Sequence, residues 1–159
     1  MAKKAKRVKN SKKPKKSIIL KGDYLFTFLI AAVFILDRLI KTYVGDSCLW
    51  LLCIRRAVND GAAFGILPGQ TLFLVVVAIG VLFLIAMSYR ESGWLGRLGL
   101  ALITAGTISN MFDRVFYGHV LDVFSVFGSS SFNLADLSNL IGVLIFIVSL
   151  YGYAGRRKR

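Results

Sequence analysis

The chain is 159 residues long, 56% apolar, and carries a formal net charge of +13. That length suits one domain rather than several, and the apolar share exceeds the roughly 45–50% of an ordinary soluble domain. The basicity sits at the ends: ten of the 21 Lys and Arg fall between Lys3 and Lys21, and four close the chain at Arg156–Arg159. Between the tails the charges nearly balance, which argues against a basic nucleic-acid-binding domain and for a membrane protein.

Residues 1–16 hold no aromatic side chain that could stack on a base, and an apolar stretch follows at once. Anionic lipid headgroups are the partner such a tail fits, at about 1 kcal/mol per Lys or Arg near the surface. Composition predicts the tail to be disordered. The run from Tyr24 to Leu36 has the look of a secretory signal core, but Asp37-Arg38 follows where small residues would mark a cleavage site. The segment is therefore expected to remain as a first span over 24–44.

Ser47–Ile54 is aromatic and branched apolar, and reads as a strand at the membrane surface. If it is extended, Cys48 and Cys53 stand roughly 16 Å apart at about 3.3 Å per residue, beyond the roughly 7 Å reach of a disulfide. They are expected to be small buried apolar residues, forming neither a bridge nor a metal pair. With His119 as the single His and no Cys-x-x-Cys, neither a metal nor another cofactor is expected. Asn59-Asp-Gly-Ala-Ala-Phe-Gly65 sets small residues around an Asn and a Phe. That suits either a loop re-entering the membrane surface, with Gly61 and Gly65 as turn residues, or a backbone folded against a substrate. It lacks the Gly-Lys-Ser/Thr ending of a phosphate loop.

Pro68-Gly69 breaks the chain before a second span, 71–89, which has no charge between its ends. Glu91-Ser-Gly93 precedes a third, 95–114, in which Gly99, Gly106 and Ser109 offer small surfaces for close helix contact. Val120–Phe127 alternates partly as a strand, and a fourth span covers 134–154. Each run approaches the roughly 20 helical residues that cross a bilayer. The positive-inside rule puts the N-terminal tail, Arg90, Arg97 and Arg156–Arg159 on the cytoplasmic side, leaving 45–70 and 115–133 outside. The expected fold class is an all-α membrane protein: four transmembrane helices with a small external β-sheet and loop region. Residues 17–155 form its single domain, between the basic tails 1–16 and 156–159.

On that topology Asp37, Arg38, Lys41, Asp113, Arg114, Asp122 and Asp136 gather at the outer ends of the spans, where an ionisable group needs a partner, water or a function. Asp37 and Lys41 share a face at i and i+4 and read as an ion pair. Asn110, Asp113 and Arg114 share another, with Asp113 and Arg114 read as neutralising each other or reaching to the interface. Asp122 lies between Leu121 and Val123 with no cation beside it. It is either a surface carboxylate on a strand edge or half of a reactive pair. Asp136 follows Asn133 by three residues, the spacing of a helix cap, and reads equally as cap or reactant. The 115–133 segment must return to neighbouring helices, so these two carboxyls can converge. A close pair in a dry site holds one proton between them. The ionised member can then activate a water while the neutral one donates to a carbonyl, which is peptide hydrolysis without a covalent intermediate. Ser129–Ser131, with only His119 as base, is a poor nucleophile set.

Five stretches in order carry a resemblance to the lipoprotein signal peptidases, the bacterial signal peptidase II family. They are Asp37-Arg-Leu-Ile-Lys41, Asn59-x-Gly-Ala-Ala-Phe64, Asn110-x-x-Asp-Arg114, Gly118-x-Val-x-Asp122-x-Phe124 and Phe132-Asn-x-Ala-Asp136. The resemblance implies an inner-membrane aspartyl endopeptidase that cuts before the diacylglyceryl-modified Cys of a prolipoprotein. It implies Asp122 and Asp136 as the catalytic pair, with Asn59, Gly61, Asn110, Asp113, Arg114, Asn133 and Ala135 binding substrate or supporting the pair, and Asp37 and Lys41 as structural polar residues. It also implies inhibition by cyclic peptide antibiotics, a monomeric enzyme, and an active site at the outer face. Two positions depart from the family pattern: Arg38 where many members carry Gln, and Ser109 where Gly is usual. The tail before residue 17 lies outside the resemblance. A small channel or transporter is the competing reading, and it requires charges at mid-depth or at both ends of the spans. A catalytically dead lipid-binding scaffold is a third, against which both Asp122 and Asp136 stand.

Overall fold

The computed structural model describes residues 21–50, 52–62, 67–126 and 130–156. The expectations for the tail 1–16, for Ala63-Phe64-Gly65 and for Ser129 fall outside those residues. Four helices and a four-stranded antiparallel sheet make up the rest: α1 Lys21–Tyr43, β1 Ser47–Leu49, β2 Leu52–Asn59, α2 Thr71–Tyr89, α3 Trp94–Tyr117, β3 Val120–Val126, β4 Ser130–Phe132 and α4 Leu134–Arg156. The sheet runs β1-β2-β3-β4. The fold is thus mostly helical with a small sheet, as the sequence predicts.

Helix α3 is the hub, packing on α1, α2 and α4. Its glycines explain the close approach to α4. A Cβ built on Gly99 would meet the Gly142 carbonyl oxygen at 2.7 Å, and one on Gly142 would meet the Gly99 carbonyl oxygen at the same distance. Small residues at such a crossing let two backbones touch. Ser138 Oγ adds a 2.9 Å bond across the interface to the Leu102 carbonyl. Helix α2 buries no residue and packs only one flank on α3, leaving Leu72, Phe83 and Met87 exposed. An apolar surface of that extent belongs against lipid rather than water. By length and composition, α2 and residues Leu134–Tyr151 of α4 are able to cross a membrane. α1 and α3, which carry the charged side chains, fall short of the same standard.

Helix ends are closed by the residues the sequence supplies. Gly118 ends α3 in the left-handed region (φ 79°), its N–H bonded to the Arg114 carbonyl at 3.1 Å, the usual glycine stop. Its own carbonyl accepts the Thr71 hydroxyl at 2.8 Å, tying the start of α2 to the end of α3.

The sheet departs from the sequence reading in one respect. Ser47–Ile54 is not a single strand but a tight hairpin, with Trp50 in the left-handed region at φ 58°. Folding back brings Cys48 opposite Cys53, with Cα atoms 4.1 Å apart, and the two form a disulfide. The 16 Å separation assumed an extended path, which the turn at Trp50 abolishes. Nor is either cysteine buried: Cys48 is exposed and Cys53 intermediate.

Between β2 and β3 the register shifts by one. Ile54 lies opposite Phe124 but Ala57 opposite Asp122, so β2 carries one extra residue at Arg55-Arg56, a β-bulge. Arg56 then reaches back to the end of α1, donating to the carbonyls of Thr42 at 2.6 Å and Val44 at 3.2 Å.

Candidate active site

Asp122 lies at the middle of β3 and is 1% exposed. Asp136 lies in the first turn of α4 and is half-buried. Asn133, fully buried just before α4, joins them. Its side-chain amide donates to Asp122 Oδ1 at 2.9 Å, and its main-chain N–H donates to Asp136 Oδ2 at 3.1 Å. The Asp136 N–H returns a bond to Asn133 Oδ1 at 2.9 Å. This exchange is a capping box built from Asn and Asp, so the cap reading of Asp136 holds and does not compete with its place beside Asp122. The other Asp136 oxygen accepts the Asn110 amide at 2.8 Å, and Asn110 Oδ1 accepts the Asn133 amide at 3.1 Å.

Asn59 approaches Asp122 from the neighbouring strand. Ala57 sits directly across from Asp122, so Asn59, two residues on, shares its face. The Asn59 amide donates to Asp122 Oδ2 at 3.1 Å. Its oxygen accepts the Gly61 N–H at 3.0 Å, an Asx turn that shapes the loop after β2. The Gly61 carbonyl accepts Arg114 Nη2 at 2.9 Å. Arg114 is therefore a strut between α3 and this loop, and its positive charge acts on Asp136, Asp113 and Asp122.

Of the two readings of Asp113 and Arg114, mutual neutralisation is not what the structure has: no ion pair joins them. Both residues lie in the last turns of α3, but Asp113 turns to α1, where Lys41 meets Oδ2 at 2.7 Å and Arg38 meets Oδ1. Asp37 forms the expected bridge to Lys41 at 2.7 Å. It also takes Arg38 at 2.8 Å and the Ser109 hydroxyl at 2.6 Å. Its remaining oxygen accepts the Ala135 N–H at 3.2 Å. A wholly buried carboxylate on α1 thus satisfies one of the orphan donors at the start of α4. Ala135 contributes this backbone bond and is itself fully buried.

Sequence reasoning placed Arg38 among the charges at the outer ends of the spans, Ser109 among the small residues for helix contact, and both as departures from the family pattern, without linking the two. The structure brings them together, Arg38 Nη2 lying 3.2 Å from Ser109 Oγ. No spacing signal links positions 71 residues apart; that both depart from the family pattern was the clue. His119 lines a cavity of about 240 Å³ beside Arg38, Lys41 and Asp113. It is not among the hydrogen-bond partners of either Asp122 or Asp136.

Burial is the main cause that pushes the Asp122 carboxyl up to about 6, and the negative charge of Asp136 adds to it. The amides of Asn59 and Asn133 and the Lys41 charge pull the other way. An acid so placed changes protonation state near neutral pH, which suits it to moving a proton.

A family model described as signal peptidase (SPase) II matches residues 29–152. A lipoprotein signal peptidase of Mycobacterium leprae is 35% identical over 155 residues, covering 89% of this chain and 74% of that protein. One from Caldicellulosiruptor bescii is 34% identical over 130 residues, covering 76% and 87%. A bacterial membrane enzyme solved in meso at 2.3 Å has a similar fold, with a TM-score of 0.72, 24% identity, and coverage of 85% of this chain and 90% of that one. With five motifs in order, the buried polar centre they build, and a match over most of its length, the chain belongs to the signal peptidase II family.

Proposed function

We propose that this protein removes signal peptides from diacylglyceryl-modified prolipoproteins, cutting before the lipidated Cys, with Asp122 and Asp136 as an aspartyl pair. The observation that carries the reading is the shared tie through Asn133, which contacts one carboxyl by its side chain and the other by its main chain. With one proton between the carboxyls, the ionised member takes a proton from water as the water oxygen attacks the scissile carbonyl carbon. The neutral member gives its proton to the carbonyl oxygen. The tetrahedral diol then collapses: the carboxyl that took the water proton gives it to the departing nitrogen as the C–N bond breaks, and a diol hydroxyl returns its proton to the other carboxylate, restoring the pair. Asn59, Asn110 and Arg114 orient the pair and the substrate backbone; Asp37, Lys41 and Asp113 hold the helix ends.

On this reading all four helices cross the bacterial inner membrane, with both tails in the cytoplasm and the sheet outside. The disulfide of the hairpin supports that side, since disulfides persist in oxidising compartments. The acyl chains of the substrate stay among the lipid-facing helices while the bond to be cut meets the carboxyls above them. The enzyme acts as a monomer and is blocked by cyclic peptide antibiotics that occupy the pair.

Purified protein in detergent should cleave a diacylglyceryl-modified precursor and leave the unmodified one intact. Asp122→Asn and Asp136→Asn should each abolish cleavage with unchanged thermal unfolding. Full turnover by either variant overturns the assignment.

A further inference from the structure

The β1–β2 hairpin ends in a feature that folding does not account for. Trp50 is 95% exposed and Leu49 83% exposed, both at its tip. Trp50 also holds a left-handed backbone, which costs a bulky residue of order 1–2 kcal/mol. A strained, exposed aromatic held by a disulfide one residue before Leu49 is a reason to ask what it contacts. Its surroundings supply the answer. Arg56 fastens the base of the hairpin to the carbonyls that end α1, so the hairpin springs from the end of that helix. Tyr43, Phe116 and Tyr117 are exposed at the same ends of α1 and α3, and Trp and Tyr gather at bilayer interfaces. Arg55 is exposed behind the tip, a cation that suits lipid phosphate. The edge position of β1 puts the tip on the far side of the sheet from β4 and the start of α4.

We infer that the disulfide-closed tip of the β1–β2 hairpin is a lipid anchor, inserting Trp50 and Leu49 into the headgroup boundary of the outer leaflet. This rests on the proposed membrane placement of the sheet and is tested independently of catalysis. Closing the loop at Cys48–Cys53 keeps the tip rigid, so reduction should loosen the anchor.

The test uses the full chain in vesicles of phosphatidylcholine and phosphatidylglycerol. The chain has two tryptophans, so Trp94→Phe leaves Trp50 as the single reporter, and Trp50→Phe leaves Trp94 as a control for an embedded bundle. The expected result is blue-shifted Trp50 emission, strong quenching by lipid brominated near the acyl carbonyl, weaker quenching by lipid brominated near the chain methyl, and protection from aqueous iodide. Cys48→Ser/Cys53→Ser should weaken the bromolipid quenching. Red-shifted emission and free access to iodide, with Trp94 still quenched by lipid, would overturn the anchor while leaving the membrane placement intact. A change in Trp50 emission that appears only when lipidated precursor is added would overturn it too, by making the substrate the partner.

Discussion

Asn133 donates its side-chain amide to Asp122 Oδ1 at 2.9 Å, while its side-chain oxygen caps the helix that begins with Asp136's turn. One residue therefore sets the position of one carboxyl and the helix start that carries the other. Asn133→Ala should lose a cap worth about 1 kcal/mol. Asn133→Ser restores a capping oxygen but not the amide, so thermal unfolding should return towards wild type. Cleavage by the serine variant should stay down by about 10²-fold, the order expected when reacting groups are misplaced by an ångström. Recovery of both properties together would show that only the cap mattered.

The pH profile follows from Asp122. Its carboxyl in the folded chain lies at about 6, above the roughly 3.9 of an exposed Asp. The folded state therefore favours the protonated form. Its contribution to stability is full below the unfolded value and is lost as pH rises through about 6. If the pair needs a proton to work, kcat/KM should fall on the same alkaline limb. The Asn59 amide steadies the ionised form, so Asn59→Ala should move that limb to higher pH. A limb that stays in place in the variant would argue that another group controls it.

The charges on α1 are a structural device. Asp37 is fully buried and binds Lys41, Arg38, Ser109 and the Ala135 N–H. Asp37→Ala leaves buried partners uncompensated, a change that typically costs about 3–5 kcal/mol. Thermal unfolding in detergent should show the loss, and binding a pair-directed inhibitor should recover part of it.

Arg38 and Ser109 form a contact that Gln and Gly at those positions could not reproduce. Arg38→Gln and Ser109→Gly, made singly and together, should be non-additive by about 0.5–3 kcal/mol in unfolding free energy. Simple additivity would mean the contact carries no energy.

Gly99 is tested by a single methyl. Its Cβ would stand 2.7 Å from the Gly142 carbonyl oxygen and 2.8 Å from the Phe146 nitrogen, so Gly99→Ala must push α3 and α4 apart. The expected cost is about 1–3 kcal/mol, read as a lower unfolding temperature.

Much of this architecture was legible because local signals were strong. An uncharged run gives α2, and the three-residue step from Asn133 to Asp136 gives the cap, while α3 runs three residues past the expected end at 114, to the stop at Gly118. The residues around Asp122 were legible as a motif, since their order along the chain survives without knowledge of their contacts. What failed depended on the path between elements. Cys48 and Cys53 looked too far apart because nothing in Leu-Trp-Leu-Leu announces a turn: no Gly, Asn or Pro marks it. Asp113 and Arg114 looked like partners because adjacency in sequence was the only geometry available. A helix separates neighbours by about 100°, and Asp113 turned to α1 while Arg114 turned to the Gly61 carbonyl.

The extra residue in β2 at Arg55-Arg56 decides the handedness of this whole corner. Side chains alternate along a strand, so every position beyond the insertion is turned over relative to an uninterrupted ladder. With it, Ala57 stands opposite Asp122 and Asn59 looks towards that carboxyl; the same chain paired without the bulge would set Arg56 opposite Asp122 and turn the Asn59 amide to the other face.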